Sequence, residues 1–101
     1  MKAARSEASE KLGALVSGLR HKAGISRRSL AELAAMDVSH LARIENGQGN
    51  PTLFVIVQLA TALEIEPEMF VRGLSAADLP ADIKPYSLSA AVREMRRREQ
   101  A

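Results

Sequence analysis

The run RRSLAELAAMDVSHLARIENG, from Arg27 to Gly47, leaves this chain few ways to fold. Leu30, Leu33 and Ala34 recur at i, i+3, i+4, which predicts a short helix with those three on one face. Val38, Leu41, Ala42 and Ile44 are the apolar positions of a second helix over about 38–45. Ala35-Met36-Asp37 breaks the rhythm between them. Asp37 is the expected N-cap, since its carboxylate can accept from the free N–H groups of the second helix. Gly47 is the expected C-cap. With so short a connection the two helices cannot lie antiparallel along their whole lengths. They must cross steeply, which leaves one face of the second helix projecting.

The flanking segments supply a core for this pair. Leu12, Leu15, Val16 and Leu19 make one stripe of a helix from about Ser9 to Lys22, closed by Gly24. Ser26 is the N-cap of the next helix, which runs to about Ala34 or Ala35. After the loop Asn46–Pro51, Thr52 should cap a fourth helix, Leu53–Leu63. Its Leu53, Val55, Ile56, Val57, Leu59, Ala60 and Leu63 cover more than one face, so it is expected at the centre of the core. Pro67 suits the first position of a fifth helix ending near Gly73, with Met69, Phe70 and Leu74 as its apolar side. Leu79-Pro80 and Lys84-Pro85 are breakers, so 75–86 reads as a linker with at most one short turn. From Ser87 onward the chain is helical by composition. Leu88, Ala91, Val92 and Met95 form a narrow stripe, and Arg96–Arg98 follow near the C-terminal end, where cations suit the helix dipole. The expected organisation is a loose arm at 1–8, one all-α domain at 9–74, and a linker with a C-terminal helix at 75–101 for dimerisation or docking.

Composition narrows the function. There is no cysteine, which removes disulfides and cysteine-based zinc sites. His21 and His40 show no metal-ligand spacing with nearby carboxylates, so no metal is expected. No nucleophile–base pair or phosphate-cradling glycine loop stands out, so neither catalysis nor a cofactor is expected. Nothing resembles a membrane span or a signal-peptide core, so no membrane partner is expected and the cytoplasm is the expected compartment. Only 3% of residues are aromatic, which argues against single-strand binding by base stacking. The net charge is only +2, but between positions 20 and 43 Arg20, Lys22, Arg27, Arg28 and Arg43 face only Glu32 and Asp37. A basic surface around a projecting helix suits the major groove of double-stranded DNA.

The ordered set Arg20, Gly24-Ile25-Ser26, Leu30-Ala31-Glu32-Leu33-Ala34, Ser39, Leu41, Arg43-Ile44-Glu45-Asn46-Gly47, Asn50-Pro51-Thr52-Leu53 and Leu59–Leu63 resembles the phage repressor/Cro-like (Xre-type) helix-turn-helix family. The resemblance covers Leu12 to Arg72. It implies a compact five-helix domain, here with a C-terminal helical extension, whose third helix reads DNA. It implies base edges facing Val38, Ser39, Ala42 and Arg43, and phosphates near Arg27 and Asn46. It also implies an internal pair between Arg20 and Glu45. Three positions depart from the family's usual pattern. Arg27 stands where Gln is common. Ala35 stands where Gly is common, at about 1 kcal/mol if it must turn left-handed. Val38 and Ala42 replace polar readers, so they can meet a thymine methyl but cannot bond a base.

Each of these residues also has a plainer reading. Arg43 can pair with guanine O6 and N7, or bind only phosphate or a nearby carboxylate. Ser39 can bond a base or a phosphate. His40 can bond a phosphate or simply face solvent. Arg27 and Arg28 are a phosphate clamp or a solubilising face, and their place at a helix N-terminus favours the clamp. The function expected is a dimeric, sequence-specific transcriptional regulator on a pseudo-palindromic operator. The alternative is an antitoxin-like interaction module whose C-terminal segment binds a partner protein.

Overall fold

The computed structural model describes residues 6–100, so the arm expected at 1–8 lies largely outside the described residues. Five α-helices follow in order: α1 (Glu7–Ala23), α2 (Arg27–Leu33), α3 (Val38–Glu45), α4 (Leu53–Leu63) and α5 (Leu88–Glu99). No strand occurs among the described residues. α1 starts earlier than the apolar stripe implies because Ser6 caps it, its hydroxyl accepting from the Ser9 N–H at 3.1 Å. Ser26 caps α2 in the same way at 3.0 Å and Thr52 caps α4 at 3.2 Å.

The C-terminal ends of α1 to α4 share one closure, in which a left-handed residue turns the chain and two N–H groups reach back to the last turn. After α1, Gly24 donates to the His21 carbonyl and Ile25 to that of Arg20. After α3, Gly47 and Gln48 donate to Ile44 and Arg43. After α2 and α4 the left-handed position falls on Ala35 and Glu64, both at φ 56°. The departure at Ala35 thus keeps the turn geometry and carries the strain.

Leu12 and Val16 of α1, Leu30, Ala31 and Ala34 of α2, Leu41 and Ile44 of α3, and Val55, Ile56, Leu59 and Ala60 of α4 form one core with Phe70. Gly13 lets α1 lie directly on the end of α3: a Cβ there would stand 2.3 Å from the Ile44 carbonyl oxygen.

Several expectations need correction. The inward face of α2 is Leu30-Ala31-Ala34, and Leu33 is 65% exposed. α4 buries one face only, leaving Leu53 (75%) and Phe54 (80%) in solvent and Val57 partly so, because no element among the described residues covers its outer side. The helix expected at Pro67 is a single 3₁₀ turn, Pro67–Phe70, which buries Phe70 and leaves Met69 exposed.

The linker is tied at its start. A 3₁₀ turn, Ala76–Asp78, is held by a capping box with Ser75. The buried Asp78 carboxylate also takes a 2.7 Å bond from Lys11 of α1. Beyond it, α5 buries no residue. The radius of gyration is 17.5 Å, against about 13 Å for a compact chain of this length, because α5 stands off the domain.

Candidate nucleic-acid interface

α3 buries one side and leaves another exposed, so its sequence divides it lengthwise. Leu41, Ile44 and Glu45 turn inward and are buried. Val38, Ser39, Ala42 and Arg43 form a second stripe at i, i+1, i+4, i+5, with Val38 at its border with the buried side and Asn46 continuing the row. Val38, Ser39, Arg43 and Asn46 are exposed, Ala42 half-buried. The four expected base readers therefore share one outward face. His40 lies half-buried at its edge. Among the described residues Arg43 makes no ion pair, and its guanidinium reaches past the loop glycine Gly49.

The angle of this helix is locked from inside. Arg20 grips Glu45 with two parallel bonds, Nε to Oε2 at 2.8 Å and Nη2 to Oε1 at 2.9 Å. Its Nη1 donates to the Ile25 carbonyl at 2.9 Å. The internal pair implied by the family resemblance is thus present, but it is a triad. Arg27 Nε also donates to Glu45 Oε1 at 3.1 Å, and its Nη2 lies 3.5 Å from Asn46 Oδ1. Burial alone would raise the Glu45 pKa; the bonds from Arg20 and Arg27 outweigh it and hold the carboxyl below its ordinary range. The Glu45 bond in turn raises Arg20, against its own burial. Arg27 remains 41% exposed at its side chain, so it reaches solvent while tethered. Arg28, one residue on, is exposed and makes no ion pair among the described residues.

Two features escaped the sequence reading. Gln58 of α4 donates to the carbonyls of Ala34 and Ala35, at 3.0 and 3.1 Å, and so pins the turn between α2 and α3. A lone glutamine within LFVIVQLATAL was the available signal. Asp37, expected as a cap, makes no cap hydrogen bond from its side chain. The Ser39 hydroxyl donates to its carboxylate instead, because the exposed serine two residues ahead offers the nearer donor.

No group of three or more His, Cys, Asp or Glu side chains that could hold a metal occurs among the described residues. No helix among them is long and apolar enough to cross a membrane.

The fold is found in known proteins. Residues 11–70, more than half of the chain, match the family model described as a helix-turn-helix domain. The restriction-modification controller protein C.AhdI from Aeromonas hydrophila is 40% identical over 61% of this chain and 94% of its own, with a TM-score of 0.60. SinR, a master regulator for biofilm formation solved in complex with DNA, is 26% identical over 59% of this chain and 97% of its own, at 0.57. The clp gene regulator ClgR from Corynebacterium glutamicum, 21% identical, shares the fold over 89% of this chain and 87% of its own, at 0.61. No curated protein sequence matches the chain. With its outward third helix, its Arg20–Glu45 lock and this match, the chain belongs to the phage repressor/Cro-like helix-turn-helix family.

Proposed function

We propose that the protein is a sequence-specific transcriptional regulator that binds double-stranded DNA as a dimer, with α3 in the major groove. One observation carries the reading: Val38, Ser39, Ala42 and Arg43 share an uncovered helical stripe, and Arg27 lies beside its end at Asn46. Arg27, Arg28, His40 and Asn46 take phosphates and set the register; Ser39 and Arg43 read base edges; Val38 and Ala42 meet thymine methyls. A controller protein at 40% identity and a regulator solved on DNA support this assignment. Two uncovered apolar faces, Leu53-Phe54-Val57 on α4 and the α5 stripe with Leu88 and Met95, support a second copy. A two-fold dimer would place the half-sites about one helical turn apart, roughly 34 Å.

The test is fluorescence anisotropy on a duplex from upstream of the protein's own gene, against a scrambled duplex, over a salt series. A preference of about 10³-fold is expected. Weak, equally salt-sensitive binding to both duplexes would refute self-regulation through this face.

The bare stripe of α5 favours one second reading, in which α5 docks on a partner protein in the manner of an antitoxin. Deleting residues 87–101 separates the two. Loss of the dimer in sedimentation assigns α5 to self-association. An intact dimer that no longer co-purifies a second chain assigns it to a partner.

A further inference from the structure

Asp37 and Ser39 sit at the N-terminal end of α3, and both are exposed. The Ser39 hydroxyl donates its one proton to the Asp37 carboxylate. Its oxygen is then left with lone pairs only, so both side chains present acceptors. The Asp37 carboxyl lies below its usual range, chiefly because the bond from Ser39 outweighs the opposing effect of burial. It is ionised at neutral pH. The side chains of Asp37 and Ser39 thus put acceptors only, one of them charged, at the start of α3, on a surface otherwise furnished with Arg27, Arg28, His40 and Arg43.

We infer that Asp37 and Ser39 act together as the specificity determinant for a cytosine, accepting from its N4 amino group in the major groove. The inference rests on the reading of α3 as the major-groove helix. The four base edges decide it. Guanine shows acceptors N7 and O6, and thymine shows O4, all opposed to a carboxylate. Adenine offers N6–H but sets the N7 acceptor beside it. Cytosine alone presents donors with no acceptor on that edge. The same charge repels phosphate, so it weakens binding to unrelated sequences and widens the gap to the operator. Arg43, one turn on, supplies the opposite chemistry for a guanine.

The test is selection from a random duplex library by the full chain, as wild type, Asp37→Asn, Ser39→Ala and Arg43→Ala. Asparagine caps a helix as well as aspartate does and pairs with adenine N6 and N7. Wild type should enrich a cytosine column in each half-site, preferred at least about fivefold over thymine. Asp37→Asn should turn that column towards adenine on the same strand and tighten binding to random duplex. Ser39→Ala should weaken it a few-fold, and Arg43→Ala should relax a different column. If neither Asp37→Asn nor Ser39→Ala alters any column while Arg43→Ala does, α3 reads DNA but the acceptor assignment is overturned. If wild type enriches no motif, the groove reading fails and takes this inference with it.

Discussion

Replacing Gly13 by alanine sets two effects against each other. Glycine inside a helix costs about 1 kcal/mol relative to alanine, so propensity favours the change. The added Cβ would meet the carbonyl oxygens of Ile44 and Glu45 at 2.3 and 3.0 Å and the Gly47 nitrogen at 3.1 Å. All three are backbone atoms and cannot rotate aside. Ordinary contact begins at 3.4 Å, so α1 and the end of α3 must part by about 1 Å. That opens the packing of Leu12 and Val16 on Leu41 and Ile44 and stretches the Arg20–Glu45 bonds. Overpacking of this kind costs about 3 kcal/mol, leaving a net loss of about 2 kcal/mol after the propensity gain. For a domain of this size the fall in Tm is on the order of 10 °C. Gly18 provides the control on the same helix, because a Cβ there meets nothing within 4 Å. Gly18→Ala should gain about 1 kcal/mol. Urea and thermal unfolding of the two variants should move in opposite directions. If Gly13→Ala equals or exceeds wild type in stability, the close approach of α1 to α3 is refuted.

Four other substitutions probe the same structure. Ala35→Gly should stabilise the protein by up to about 1 kcal/mol in urea unfolding, and a loss would show that the φ of 56° is not strained. Glu45 is held below its unfolded pKa, so its contribution is present above about pH 4.3 and is lost as pH falls through the lower folded value. Glu45→Gln should cost about 3 kcal/mol at pH 7 and flatten the decline in Tm from pH 5 to 3; parallel curves for variant and wild type would remove Glu45 from the acid response. Arg27→Ala should weaken specific and scrambled duplexes alike and lower the salt slope by about 1, whereas Arg43→Ala should weaken the specific duplex most. An unchanged slope for Arg27→Ala would take it out of the phosphate set.

What the chain declares locally, the structure repeats. Ser26, Thr52 and Gly24 stand where the caps were expected, since a cap is a contact between near neighbours. The Arg20–Glu45 pair came from the family resemblance, because nothing in the spacing itself joins residues so far apart. Other features depend on distant partners and left little trace. Gly13 reads as a helix weakener until Ile44 is placed against it. Leu33 and Val57 read as core by periodicity, yet face outward because periodicity marks a stripe without stating whether another element covers it. Asp37 kept its place but changed its bond, since a serine hydroxyl two residues ahead competes with the backbone donors.

The Lys11–Asp78 tie has a consequence for how far α5 can travel. It fastens the chain to α1 at residue 78, so the free tether begins there and not at the end of the 3₁₀ turn near residue 70. About nine residues, 79–87, then separate the anchor from α5, a span of roughly 30 Å when fully drawn out. The helix is thereby confined to a small volume on one side of the domain. Its effective concentration there is in the millimolar range, so even a weak stripe can engage any surface within that radius. Cutting the tie would lengthen the leash by several residues and dilute the helix without touching its own sequence.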